Sequence, residues 1–420
     1  FSRSFEVGLA APLDVAFGFE GQSESYALTA GELQSYAKGP VTTAPAGAQG
    51  FPGLFPSNAN DKERSNIGAY VDVETKFTDK FSVGAAVRTE SYSDFGENTS
   101  GKVSARYDFT PSFAIRGSYS TGFRAPSLQQ QYFSSSAINF VSGVSQLITT
   151  FPVTSSVARA LGATDLKPET SDNAALGFVY HKGPFELTVD GYQIKIKDRI
   201  ILSENLLTSA NTGVAGLLAP FGVDGARFFM NGIDTTTQGV DIVGHYHLPT
   251  DRLGTWDFSL AYNHGTTKID RFPANNTLSS LPTPPALFAR VNQNLLTTST
   301  PDDKFTASAD WHAGKWAASA QAVSYSSILV AQTNAALDFE TGDKTLVNLS
   351  ASYKLSPLTT WSIGIDNAFD VYPNPTPIPA LAGTTATPVP AYNGGNQAFT
   401  ARSPFGFNGR YIYTKISKSF

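Results

Sequence analysis

The most constraining feature of this sequence is an alternation of apolar and polar residues that keeps a period of two over long runs. Across residues 67–77, Ile67, Ala69, Val71, Val73 and Phe77 share one face of an extended chain, and Gly68, Tyr70, Asp72, Glu74 and Lys76 share the other. After a Thr78-Asp79-Lys80 turn, Phe81, Val83, Ala85 and Val87 oppose Ser82, Gly84, Arg88 and Glu90. The pattern returns at Val103 to Phe109, at Phe185 to Val189, at Trp256 to Tyr262 and at Val347 to Tyr353. One face of such a strand meets an apolar medium and the other meets water. A soluble sandwich alternates too, but on strands of about 5–6 residues. These runs approach the ~9–11 residues of a tilted membrane strand, with aromatic residues at their ends. The expected fold is all-β, a transmembrane antiparallel β-barrel, with Val71, Val83, Leu187 and Phe258 facing outward.

Connections alternate between very short and very long. Thr78–Lys80, Thr110–Ser112, Lys182–Pro184, Ala313–Gly314 and Ser356–Leu358 are tight turns, whereas residues 31–62, 121–170, 199–232, 267–302, 327–343 and 367–407 are long loops. Compact soluble domains rarely carry irregular loops beyond about 12–15 residues. Outer-membrane barrels combine tight periplasmic turns with extended extracellular loops. Prolines such as Pro40, Pro52, Pro273, Pro285, Pro373 and Pro390 keep these loops irregular, and Ser155 to Gly162 is expected to make a helical turn. Charged residues at 15% fall below the ~25% of soluble domains, yet no apolar run nears the ~20 residues of a membrane helix. Cys 0 excludes disulfides and thiolate zinc sites, and a net charge of -5 argues against nucleic acid as a partner. The alternating runs number about fifteen, counting Arg3–Ala10 and Leu13–Ala27 as the first two. The first and last then run in the same direction, so an even-stranded barrel requires further strands before Phe1.

Four stretches point to a family: Gly122–Leu128 (GFRAPSL), Leu166–Ser171 (LKPETS), Asn367–Tyr372 (NAFDVY) and the ending Ser403–Phe420. Read as chemistry, Gly122 and Pro126 end a strand beside Phe123, and Arg124 can bond loop carbonyls or a carboxylate. Lys167, Pro168 and Glu169 set the angle of re-entry. Asn367 and Asp370 form a turn clasp. Together the four stretches resemble the C-terminal half of the TonB-dependent outer-membrane receptors. Tyr411, Tyr413, Ile416 and Phe420 resemble the terminal signal of outer-membrane barrels, with Lys418 where an aromatic residue is usual. The resemblance implies a barrel of about 22 strands around an N-terminal plug, of which this chain is roughly the last two-thirds, without plug or TonB-contacting segment. It implies the outer membrane of a Gram-negative bacterium. The partners it implies are the plug and remaining strands of the same protein, TonB, the outer-membrane insertion machinery, the lipid bilayer and a small-molecule ligand. The implied activity is high-affinity uptake of a scarce nutrient, most often a ferric siderophore. A vitamin B12 or oligosaccharide receptor of the same family, or a passive porin-like channel, are the alternatives.

No nucleophile elbow, phosphate loop or His-Glu-x-x-His motif occurs, so neither an enzyme nor a bound cofactor is expected. His245 and His247 share a strand face without an evident third ligand, which reads as solvated wall rather than metal site. Asp72, Glu74, Arg88, Glu90, Arg106, Asp108 and Arg116 fall on the polar face and are expected to line the lumen, because lipid penalises charge by about 2–4 kcal/mol at the midplane. Ligand contact is expected in the long loops, at Arg227, Phe228 and Phe229, with Phe133, Phe140 and Arg159. Exposed rings beside arginine suit an anionic, ring-bearing ligand through stacking and cation–π contact. The competing reading is that these rings pack the loops against one another.

Overall fold

The computed structural model describes residues 1–41, 46–47, 52–141, 144–377 and 398–419. The described strands, in chain order, begin with β1 (Ser2–Phe5), β2 (Leu13–Leu28), β3 (Asn60–Thr78), β4 (Phe81–Tyr92), β5 (Gly96–Thr110), β6 (Phe113–Arg124) and β7 (Ser135–Val141). They continue with β8 (Val144–Thr150), β9 (Glu169–Lys182), β10 (Phe185–Leu202), β11 (Leu206–Leu207), β12 (Gly225–Arg227), β13 (Phe229–Thr250) and β14 (Gly254–Arg271). The last are β15 (Asp303–Ala313), β16 (Trp316–Tyr325), β17 (Leu329–Val330), β18 (Phe339–Glu340), β19 (Lys344–Ser356), β20 (Thr359–Asp366) and β21 (Tyr411–Lys418). Short helices sit between them: α1 (Leu33–Tyr36), α2 (Leu128–Tyr132), α3 (Ser156–Ala160), α4 (Thr212–Leu218), α5 (Asn276–Ser279) and α6 (Arg290–Thr297).

One 15-stranded sheet forms the wall, in the order β1-β2-β3-β4-β5-β6-β9-β10-β13-β14-β15-β16-β19-β20-β21. Every wall strand pairs antiparallel with the next, so the up-and-down meander read from the alternation is the observed topology. Register carries the alternation across strands: Val71 lies opposite Phe17 and Val87, and Phe258 opposite Tyr246 and Ala309. A slip of one residue would turn every such side chain to the other face. The apolar face is left open. Phe19 is 82% exposed, Ile67 69% and Leu176 67%, and Val71 and Phe258 are exposed with them. Val83 and Leu187 are half-buried on the same face, opposite Ala105 and Gly244.

Among the described residues, every fully buried apolar side chain except Ala114 comes from the long connections or the strand ends beside them. The wall therefore has no dry core behind it. At the short-turn end, rings run from strand to strand along the outer rim. Phe77 meets Phe81 at 6.2 Å, Phe81 meets Tyr107 at 6.3 Å, Phe109 meets Phe113 at 5.8 Å and Phe113 meets Phe178 at 5.9 Å. On the polar face, glycine makes room for tyrosine lying flat across the neighbouring strand. A Cβ on Gly239 would fall 2.4 Å from Tyr192 Oη, and one on Gly364 would fall 2.3 Å from the Tyr413 ring.

The boundaries differ from the sequence reading in three ways. The first strand is shorter than expected, ending at Phe5 because Gly8 takes a left-handed turn at φ 76. Two strands reach further into the loops, β10 to Leu202 and β14 to Arg271, whereas the last, β21, begins only at Tyr411, past the expected loop end at residue 407. The long loops are not irregular throughout, since β7, β8, β11 and β12 form a second sheet of four strands there. The expected helical turn within 155–162 is α3, whose first turn is capped by the Ser155 hydroxyl accepting from the Ala158 N–H. Phe420 lies outside the described residues.

Candidate functional site

The long-loop end holds the features that sequence reasoning marked for ligand contact. Two successive loops are sewn together by backbone. β12 pairs parallel with β8, placing Arg227 opposite Thr150, and β11 adds to the other edge of β12. Beneath this sheet Phe228 is fully buried, together with Leu161 of the loop before β9, Leu206 and Leu218 of the loop before β13, and Leu278 of the loop before β15. Asn275 sits in the same core: its Nδ2 donates to the Leu161 carbonyl at 2.9 Å and its Oδ1 caps α5. Three loops thus share one hydrophobic core, which makes a rigid cap out of connections the sequence presented as irregular.

Phe228 is therefore corrected from surface contact to core: a ring with no exposed area cannot stack on a ligand. Arg227 is different. Its Nε donates to Thr150 Oγ1 at 2.8 Å, and among the described residues no carboxylate pairs with it. Burial pushes this guanidinium below its usual range, as expected for a cation held away from water without a counter-charge. Phe229 and Phe151 are half-buried against the core beside it. Arg159 lies on α3 but spends its charge locally, donating to the Ala163 carbonyl at 3.1 Å and to Asp165. Phe133 closes α2, which packs against β2 and β3, and lies two residues before β7, whose Ser135 is opposite Thr150. Phe140 belongs to β7, and its side chain is outside the described residues.

The motif residues anchor the cap to the wall. Arg124 Nη2 donates to Glu169 Oε1 at 2.5 Å, and the same oxygen accepts the Ile200 N–H at 2.7 Å, so one buried carboxylate ties β6, β9 and β10. The Pro126 carbonyl accepts from Arg64 Nη1 at 2.6 Å. Gly122 sits against the Ser171 hydroxyl. The Lys167 N–H and carbonyl, just before Pro168, are both taken by Asn231 at 2.8 Å. Further along, Asn367 takes a left-handed φ of 51 and exchanges two bonds with Val371, both at 2.8 Å. Asp370 accepts the Arg410 N–H at 2.8 Å, closing the clasp just before β21. On β21, Tyr411 and Tyr413 stack on the polar face while Ile416 is exposed on the other.

Sequence reasoning missed Arg64, Asn231 and Asn275. Arg64 is buried under Tyr92, pairs with Glu24, and holds Pro126. Its only signal was a charge on the polar side of a strand, which dozens of residues share. On the polar face the expected network consists of separate ties: Arg88 to Glu20 and Glu90, Arg106 to Asp108, and Arg116 to Asp190. His245 bonds Ser259 and His247 bonds Asp257 through their Nδ1 atoms, and no three metal-ligating groups converge among the described residues.

A family model described as TonB dependent receptor-like, beta-barrel matches residues 2–368. The chain belongs to this family. Among curated relatives of the TonB-dependent receptors, the vitamin B12 transporter BtuB of Vibrio cholerae is 27% identical over 184 residues, which is 43% of this chain and 26% of that protein. The solved siderophore receptor PirA of Acinetobacter baumannii aligns with TM-score 0.63 at 15% identity, over 100% of this chain and 53% of its own. The ferric enterobactin receptor PfeA of Pseudomonas aeruginosa aligns with TM-score 0.65 at 14% identity, over 100% of this chain and 52% of its own. The chain thus spans about half the length of these solved receptors, and at such identity the likeness is one of fold. TonB-dependent receptors are transporters of the outer membrane of Gram-negative bacteria, a class distinct from enzymes.

Proposed function

We propose that the chain forms barrel wall and extracellular cap of an outer-membrane receptor that takes up a ferric siderophore with energy relayed by TonB. The observation that carries the ligand class is Arg227: a half-buried guanidinium with no carboxylate partner among the described residues, flanked by Phe229 and Phe151, on a loop sheet seated on a shared core. Such a group attracts an anionic, ring-bearing ligand more strongly than one exposed to water. Phe133, Phe140 and Arg159 remain candidate contacts at the rim of the same cap. In this reading the wall encloses a plug and joins further strands of the same protein, to a total of about 22. Insertion machinery would then read the end of β21.

The alternative is a cobalamin receptor, favoured by the relatedness to the Vibrio cholerae transporter. Cyanocobalamin carries no net charge, so the two readings divide at Arg227. Binding of a panel of ferric catecholates, ferric hydroxamates and cyanocobalamin to the intact receptor tests them. The siderophore reading expects saturable ferric-chelate binding that weakens about tenfold or more in Arg227→Ala, the scale of a lost desolvated cation–π or charged contact. Cobalamin binding with unchanged affinity in that variant would reject it.

A further inference from the structure

We propose that Lys195, Lys197 and Lys268 form a binding site on the outer surface of the wall for the phosphate of an anionic lipid headgroup. This rests on the membrane reading above, and concerns the leaflet on the long-loop side.

The register fixes the placement. On β10 the outward positions run Phe185, Leu187 and Val189 and then change to Lys195 and Lys197. On β14 they run Phe258 and Leu260 and then change to Lys268. Thr236 of β13 lies opposite both Lys195 and Lys268, so those lysines are two strand spacings apart, about 10 Å at the backbone. All three are exposed. They stand where the apolar belt ends, which is where lipid headgroups begin. Tyr119 marks that level independently, with its ring exposed and its hydroxyl donating to Asp172 Oδ1 at 2.9 Å. Tyrosine is the residue that favours such an interface.

Charge is concentrated there. Lys197 lies 3.4 Å from Asp172 and Lys268 lies 3.3 Å from Asp270, and exposed pairs of this kind are weak. They position two ammonium groups without withdrawing them from a phosphate. Lys195, between them, has no carboxylate within ion-pair distance among the described residues, although both aspartates lie within its electrostatic reach. Along the same register line on β6, β5 and β4 the outward residues are Thr121, Gly101 and Val87, none of them charged. Lysines near a membrane surface attract anionic lipid, and three in one sector make that attraction local.

The test uses the receptor and a triple variant, Lys195→Gln, Lys197→Gln and Lys268→Gln. A control triple, Lys76→Gln, Lys102→Gln and Lys415→Gln, removes equal charge from the inward face. Each is checked for folding by faster gel migration before heating. Each is then floated on phosphatidylcholine vesicles and reconstituted with mixed phosphatidylcholine and phosphatidylglycerol, and retained phosphatidylglycerol is counted by native mass spectrometry. The expected result is flotation of all three and about tenfold less retained phosphatidylglycerol in the outward triple alone. Equal retention in the outward triple, or equal loss in both triples, overturns the lysine site while leaving the membrane reading intact. Failure of the folded receptor to float overturns both. A Lys→Arg triple at the outward positions separates charge from fold, since it keeps retention if charge is what the lipid reads.

Discussion

Asp338 shows how much a single loop residue can depend on its partner. Arg290 donates to both its oxygens, at 2.8 and 2.5 Å, and the Gln332 N–H donates at 2.8 Å. Those bonds, chiefly with Arg290, hold its carboxyl down at about 2. A carboxyl depressed in the folded state adds stability above its unfolded value of about 3.9, and that stability drains away as pH falls toward the folded value. The 327–343 loop should therefore stay closed from neutral pH to about 4 and loosen between about 4 and 2. Because the chain has Cys 0, a spin label at Thr333→Cys is a single-site probe, and its mobility should rise only in that acid window. In Asp338→Asn the label should be mobile at every pH, with no acid step. Nothing in the sequence announced this pair, since Arg290 and Asp338 lie 48 residues apart in two loops. Phe228 was legible only as an aromatic beside arginine. Whether it pointed to water or to Leu161 was decided by three loops meeting, and a single stretch of sequence does not record that meeting.

Wall strands were far easier to read than loops, because each carries its own two-sided pattern and needs only a neighbour with the same pattern. Cap elements have no such period: β11 is two residues long and β12 three, and β12 exists through pairing with β8 and β11 through pairing with β12. The motif stretches fall between these cases. Arg124 was legible as a donor, but its acceptor Glu169 was not, as the tie also needs the backbone of β10. At the level of the strand pair, Gly239 is a sensitive point. A side chain there would collide with Tyr192 and, at 2.5 Å, with the His264 carbonyl of the strand on the other side. Gly239→Val should cost about 1–3 kcal/mol through overpacking and lower the midpoint of heat-dependent gel migration. Gly191, which has nothing closer than 3.8 Å and faces outward, should accept alanine with little change in that midpoint.

As a whole, the molecule is a wall with water-loving and oil-loving sides, carrying a cap of packed loops at one end. All four tryptophans of the sequence, Trp256, Trp311, Trp316 and Trp361, point outward near the short-turn end. Their indoles anchor that end: Trp311 donates to the Leu253 carbonyl at 2.6 Å, and Trp361 to Thr414 Oγ1 at 2.8 Å. Reconstituted in vesicles, the protein should lose most of its indole fluorescence to lipids brominated near the headgroup and little to aqueous acrylamide. Strong acrylamide quenching of the reconstituted, folded protein would place these rings in water and remove the bilayer from around the wall. The parallel seam between β8 and β12 has a further consequence for how such receptors diversify. Exchanging one of these loops alone with a homologue would unzip a strand from its neighbour and strand half of a shared core. New ligand preferences in this lineage should therefore arise either by point changes on the rim or by inheriting both loops as a linked pair.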